Sequence, residues 1–86
     1  MRQFVYTVGD PLGIHARPAG LIVRAAKAFP DTEVVIEKEG HAVRATQLMK
    51  LMSMGVRQGD RMTVTAEGPE ENEAIAAMEK LFADHL

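Results

Sequence analysis

The chain is organised around one stretch, Asp10-Pro11-Leu12-Gly13-Ile14-His15-Ala16-Arg17-Pro18-Ala19-Gly20. Its first half carries proline and glycine at the spacing typical of a loop. From Ala16 onward the apolar residues recur with helical spacing. Pro18 is tolerated only in the first turn of a helix, where its missing N–H costs no hydrogen bond. The pattern therefore places His15 at or just before the N-terminus of a helix.

The residues at this junction suit a bound anion. A helix N-terminus carries unpaired N–H groups and a partial positive charge, and both attract phosphate. Arg17 adds a fixed cation whose planar donors match phosphoryl oxygens. A neutral His15 imidazole has a nitrogen lone pair that can accept a phosphoryl group. Alone, His15 is better explained as a helix-capping or loop residue and Arg17 as a solvated charge, but together, with Pro18 and the flanking glycines, they favour phosphoryl chemistry.

The run Gly13-Ile14-His15-Ala16-Arg17-Pro18-Ala19 resembles the active-site signature of HPr, the histidine-containing phosphocarrier family of the bacterial phosphoenolpyruvate:sugar phosphotransferase system. The resemblance continues through residues 47–59 and 62–68. It implies a cytoplasmic phosphocarrier, not an enzyme in the usual sense, that needs no cofactor or metal of its own. Phospho-enzyme I would give its phosphoryl group to Nδ1 of His15, and the group would pass to an EIIA domain of a sugar permease.

The resemblance also implies which residues surround the phosphoryl group and the partners. Arg17 would stabilise the phosphoryl oxygens together with the backbone N–H groups of Ala16 and Arg17. The face that binds enzyme I and EIIA domains would comprise Ala16, Arg17, Gly20, Leu48, Met49, Leu51 and Met52. Judged from the residues alone, any one apolar side chain of the 47–54 segment fits the core about as well as a docking surface. Gly13 and Gly20 are expected to serve mainly the turn and close helix packing.

A regulatory phosphorylation site is not expected. In many Gram-positive HPr proteins, a serine at the start of the short second helix is phosphorylated by a dedicated kinase. Gapless matching of residues 49–55 to the family places Gln47 at that position, and glutamine cannot be phosphorylated. Thr46 would serve only if the helix start slipped by one residue, and Ser53 matches a position late in the helix.

Composition excludes several other classes of protein. The chain has 86 residues and no cysteine, which fits one small domain (residues 1–86) without disulfides or thiolate metal sites. A net charge of −2, three Phe, one Tyr and no Trp argue against a nucleic-acid surface. No apolar run approaches the ~20 residues of a membrane span, and the first residues lack the apolar core of a signal peptide. A monomer is the expected state.

The residue patterns predict the order β-α-β-β-α-β-α. The predicted strands cover residues 3–8, 33–37, 41–45 and 61–67, and the first two helices cover residues 16–28 and 47–54. A third helix is predicted to begin with Pro69 at its first helical position, and residues 84–86 are predicted to fray. This order indicates an α+β fold. The resemblance implies an HPr-like open-faced β-sandwich, with a four-stranded antiparallel sheet covered on one face by three helices.

Three alternatives remain open. The chain could be an HPr-like regulatory protein that binds a transcriptional regulator or a metabolic enzyme, although the intact His15 and the missing serine both oppose this. It could be a small hydrolase that uses His15 and Arg17, although no second acid or base lies nearby in the sequence. It could be an RNA-binding ferredoxin-like domain, which its acidic charge and few aromatic residues disfavour.

Overall fold

The computed structural model describes all 86 residues and has the predicted order of elements. The structure is an α+β fold in which one antiparallel sheet carries three helices. The four strands are β1 (Arg2–Thr7), β2 (Glu33–Lys38), β3 (His41–Arg44) and β4 (Arg61–Glu67). The helices are α1 (Ala16–Lys27), α2 (Leu48–Ser53) and α3 (Glu71–His85).

The sheet has the strand order β1-β4-β2-β3, with every neighbouring pair antiparallel. Along β4 the apolar residues Met62, Val64 and Ala66 alternate with Thr63 and Thr65. Since successive side chains of a strand point to opposite faces, the apolar set lies buried on one face while both threonines remain partly exposed on the other. The sheet therefore buries one face only, which is the open-faced arrangement.

Helix α3 fastens the buried face to β1. Its residues Ala74, Ile75, Met78 and Phe82 are buried with helical spacing. The ring of Phe82 packs in T-shaped arrangements with two aromatic rings of β1, with centroid distances of 5.6 Å to Phe4 and 5.5 Å to Tyr6. Such edge-to-face pairs contribute about 0.5–1.5 kcal/mol each beyond the burial of their area. These contacts hold β1, and with it the loop that follows, against the helical layer.

The predicted start of α3 at Pro69 is wrong, since the helix begins at Glu71 with Glu70 as its N-cap. Gly68 has a φ of +149°, and a Cβ there would lie 2.7 Å from the Asp31 carbonyl oxygen. The Glu70 N–H donates to the hydroxyl oxygen of Thr32 over 2.9 Å. The segment before the helix is therefore tied to the turn ahead of β2, and this contact delays the first helical residue.

The predicted fraying of residues 84–86 is also wrong. Helix α3 continues to His85, and Leu86 is buried with 6% of its surface exposed. The Leu86 N–H donates to the Phe82 carbonyl, while its own carbonyl oxygen accepts from the N–H groups of Gly9 and Asp10. The end of α3 therefore anchors the loop that leads from β1 to α1.

Candidate functional site

A left-handed glycine shapes the loop between β1 and α1. Gly13 has a φ of +65°, and its Cα is so close to the next loop that a Cβ would come within 2.0 Å of the Val56 carbonyl oxygen. That carbonyl accepts a hydrogen bond from the Ile14 N–H over 3.3 Å, and the Ile14 side chain is buried. Gly13 and Ile14 thus seat the loop on Val56 and present His15 as the next residue.

His15 is the N-cap residue of α1, as the sequence predicts. Its backbone is extended (φ −109°, ψ −173°), and its carbonyl accepts the first helical hydrogen bond, from Ala19, over 3.0 Å. The imidazole makes no capping bond to the helix, and 36% of the side-chain surface is exposed. The ring is therefore held at the helix N-terminus and stays partly exposed to solvent.

Free hydrogen-bond donors surround this position. The N–H groups of Ala16 and Arg17 have no acceptor, and Pro18, the next residue, has no N–H. The Arg17 side chain is exposed and forms no ion pair. Two aligned N–H groups at a helix N-terminus, with a guanidinium on the same turn, can bind the oxygens of an oxyanion. The arrangement can hold an anion beside the imidazole ring.

A carboxylate that sequence reasoning missed lies beside the ring. The Oδ2 of Asp10 is 4.0 Å from Nε2 of His15, and both side chains are partly exposed. Its other oxygen, Oδ1, accepts from the Leu12 N–H over 2.8 Å. An aspartate that bonds to the backbone two residues later is a common turn motif, so the Asp-Pro-Leu-Gly run carries a signal from which a fixed carboxylate could have been predicted here.

The loop that carries Val56 is itself held by an ion pair. The Lys38 ammonium lies 2.8 Å from Asp60 Oδ2 and also donates to the Gly55 carbonyl over 3.1 Å. The same Asp60 oxygen accepts from the Arg57 N–H over 2.8 Å. The hydrogen bond from Lys38, followed by that from the Arg57 backbone, lowers the pKa of Asp60 below its usual value. This pair connects β2 to the loop on which the site rests.

The short helix α2 divides its apolar residues between core and surface. Leu48, Met49 and Met52 are exposed by 40%, 72% and 39%, and we call these three residues the methionine patch. Leu51, expected in the partner-binding face, is fully buried, so that assignment is wrong. Since an α-helix has 3.6 residues per turn, this six-residue helix turns few side chains toward the core, and Leu51 is its buried residue. Helix α2, which carries the methionine patch, packs against α1, the helix whose N-cap is His15.

Gly20 and the hydroxyl residues near α2 were also assigned roles from the sequence. Gly20 lies in α1 with no atom within 4 Å of the position a Cβ would take, so close packing does not require glycine there. Gln47 is the N-cap of α2 and makes no side-chain cap bond, and Thr46 precedes it as an exposed residue. Ser53, the last residue of α2, donates its hydroxyl to the Met49 carbonyl over 2.8 Å.

Comparisons with known proteins agree with this fold. The family model described as the PTS HPr component phosphorylation site matches residues 2–84. Phosphocarrier protein HPr of Mycoplasma pneumoniae is 35% identical over 85 residues, which cover 99% of this chain and 97% of that protein. The crystal structure of HPr-C-His from Thermoanaerobacter tengcongensis superposes with a TM-score of 0.91 at 37% identity, covering 98% of this chain and 93% of the other.

A third relative is a catabolite repression protein. Crh of Bacillus subtilis, a catabolite repression protein whose crystal structure is described as a dimer with a swapped domain, is 35% identical with a TM-score of 0.76. The match covers all of this chain and 98% of Crh. The chain described here belongs to the HPr family of phosphocarrier proteins of the phosphotransferase system. None of its helices is long and apolar enough to cross a membrane.

Proposed function

We propose that this chain accepts a phosphoryl group from phospho-enzyme I on His15 and passes it to EIIA domains of sugar permeases in the cytoplasm. The observation that carries the proposal is the partly exposed imidazole at the N-terminus of α1, directly before two N–H groups that have no acceptor. Membership of the HPr family supports the same role. The protein acts as a carrier and holds the phosphoryl group only between two partners.

The residues divide the chemistry among them. Transfer between two imidazoles requires the attacking and leaving nitrogens to lie in line with phosphorus, while charge spreads over the other phosphoryl oxygens. His15 supplies the attacking nitrogen, Nδ1 by analogy with the family. The N–H groups of Ala16 and Arg17 and the Arg17 guanidinium bind the phosphoryl oxygens. Charge-assisted hydrogen bonds of this kind contribute about 1.5–3 kcal/mol each, which suits an intermediate that must be held and then released.

The partners dock around the ring. Ala16, Arg17 and Gly20 on α1 and the methionine patch on α2 form the proposed binding face, with buried Leu51 supporting it from below. Exposed methionine side chains adapt to surfaces of different shape. Transient docking of two unlike partners at one face requires this adaptability. We propose that the chain is a monomer. We also propose that it has no regulatory phosphoserine, because Gln47, which cannot be phosphorylated, occupies the N-cap of α2.

A second candidate is a regulatory binding protein. The similarity to Crh favours it, because Crh is described as a catabolite repression protein. In that role the same face would bind a transcriptional regulator and His15 would carry no phosphoryl group toward sugars.

Intact-mass analysis after incubation with phosphoenolpyruvate, magnesium and purified enzyme I distinguishes the two. Magnesium serves enzyme I in this mixture. The carrier role predicts one phosphoryl adduct that is acid-labile, base-stable and absent from a His15→Ala variant. A folded wild-type protein without adduct, beside a relative that is phosphorylated by the same enzyme I, would favour the regulatory role. An acid-stable adduct that persists in His15→Ala would instead point to Thr46 or Ser53.

A further inference from the structure

The backbone around Asp10 holds its carboxylate in one orientation. Its N–H donates to the Leu86 carbonyl over 2.8 Å, and its carbonyl accepts from the Gly13 N–H over 3.0 Å. Oδ1 is committed to the Leu12 N–H at 2.8 Å. The remaining oxygen, Oδ2, is the one that lies 4.0 Å from Nε2 of His15. Because the N–H, the carbonyl and Oδ1 of Asp10 are all hydrogen-bonded, the carboxylate can move very little relative to the His15 ring.

A fixed carboxylate beside one ring nitrogen selects a tautomer. A neutral imidazole has one N–H and one lone pair, and an ionised carboxylate can only accept hydrogen bonds. The separation is about 1 Å longer than an N–H···O bond, so the carboxylate acts on the ring through its charge. The tautomer with hydrogen on Nε2 is attracted to Asp10, whereas the lone pair of the other tautomer is repelled. The ring nitrogen that faces the Asp10 carboxylate therefore keeps the hydrogen, and the other ring nitrogen keeps the lone pair.

We propose that Asp10 is a positioning residue that holds the proton on Nε2 of His15 and so leaves the lone pair on Nδ1 for the phosphoryl group. The proposal rests on the proposed function of His15. In the acceptance step, the Nδ1 lone pair forms the new N–P bond while the bond between phosphorus and the donor nitrogen breaks, and its electron pair stays with the donor. Nε2 keeps its proton throughout. The ring then carries a positive charge, which the Asp10 carboxylate faces, and delivery to the next partner reverses these changes.

The substitution Asp10→Asn tests this assignment with little change in shape. The asparagine Oδ1 can still accept from Leu12, which places the amide nitrogen where Oδ2 was. A donor then faces Nε2, which favours a lone pair there and a proton on Nδ1. The matched control is Asp31→Asn, which removes the same charge from an exposed residue in the turn before β2. Long-range ¹⁵N–¹H correlation spectra of the His15 ring report which nitrogen is protonated, in the unphosphorylated protein and without any partner.

The proposal predicts the Nε2–H form as the main neutral tautomer of the wild type and of Asp31→Asn, and a shift toward Nδ1–H in Asp10→Asn. Phosphorylation of His15 by enzyme I should slow about tenfold in Asp10→Asn, the lower range for loss of a residue that orients an imidazole. A wild type with its proton mainly on Nδ1 would overturn the proposal. So would an Asp10→Asn ring with the wild-type tautomer, whatever its transfer rate. If wild-type protein is not phosphorylated, the proposed function fails, but the tautomer measurement still decides the role of Asp10.

Discussion

Replacing Gly13 with alanine should destabilise the protein and displace the His15 loop. The new Cβ would lie 2.0 Å from the Val56 carbonyl oxygen and 2.8 Å from its carbon, both of which are backbone atoms that cannot rotate away. The left-handed backbone costs an alanine about 1–2 kcal/mol. Separating the loops to relieve the clash also loses the Ile14–Val56 hydrogen bond, a further ~1 kcal/mol. The expected loss is therefore about 2–3 kcal/mol from a total near 4–13 kcal/mol for a chain of this length.

Two other glycines separate the clash from the backbone strain. Gly55 has a φ of +67° but no atom within 4 Å of its Cβ position, so Gly55→Ala should cost only the strain of about 1–2 kcal/mol. Gly20 lies in α1 with open space around it, so Gly20→Ala should stabilise by about 0.5–1 kcal/mol.

Urea unfolding followed by circular dichroism measures all three free energies of unfolding. For a domain of this size each kcal/mol shifts the melting temperature by about 4–8 °C, so Gly13→Ala should melt at least ~8 °C below the wild type. Phosphorylation of His15 by enzyme I should also slow, because the ring no longer starts the helix at the same place. If Gly13→Ala loses no more stability than Gly55→Ala, the contact with Val56 does not shape the loop and the reasoning is refuted.

Three further predictions concern the phosphate donors, the docking face and the supporting ion pair. Arg17→Ala should slow phosphoryl transfer by about tenfold, the effect of one charge-assisted bond near 1.5 kcal/mol, with unfolding by urea unchanged; equal rates would remove Arg17 from the site. Met49→Asp should raise the KM of enzyme I for this chain without loss of stability, whereas Leu51→Ala should cost about 2–5 kcal/mol in urea unfolding; the reverse pattern would exchange their roles. The hydrogen bond from Lys38 lowers the folded-state pKa of Asp60 below 3.8, so the stabilisation by this carboxylate is present above pH 3.8 and is lost as pH falls through the folded-state pKa. In Asp60→Asn, the free energy of unfolding measured in urea should therefore depend less steeply on pH in that acidic window. An unchanged slope would contradict the ion pair.

The regular elements could be predicted from the sequence because each depends on local pattern. Alternation from Met62 to Ala66 indicates a strand with one buried face, and the structure confirms it. Pro18 and the apolar spacing after it place the start of α1 correctly, which places His15 at the N-cap. These signals involve neighbours a few residues apart, so a single sequence is enough to interpret them.

The predictions are wrong where contacts between residues far apart in the sequence determine the structure. The start of α3 depends on the Thr32 hydroxyl, which lies 38 residues from Glu70 in the chain. The order at Leu86 depends on N–H groups of the site loop at the other end of the sequence. In α2, four of the six residues are apolar, so periodicity cannot tell that Leu51 is buried while Met49 is exposed. Tertiary contacts settle these points, and sequence patterns do not contain them.

In the candidate site, too, some features follow from local sequence and others depend on distant contacts. His15, Arg17 and the free N–H groups follow from local rules about helix N-termini. The proximity of Asp10 to His15 depends on the turn geometry of the whole loop, including its attachment to Leu86. The sequence therefore predicted the groups that would bind the phosphoryl group, but not the carboxylate that orients the ring.

The central claim is that the chain both accepts and delivers a phosphoryl group, and one measurement tests both steps. The phosphorylated chain is purified away from enzyme I and mixed with an unphosphorylated EIIA domain, and both masses are followed with time. We expect this chain to lose one phosphoryl group as EIIA gains one, and His15→Ala taken through the same treatment to deliver none. A chain that takes up the group on His15, keeps it in the presence of an EIIA domain that a known HPr phosphorylates, and releases it only to water would contradict the account.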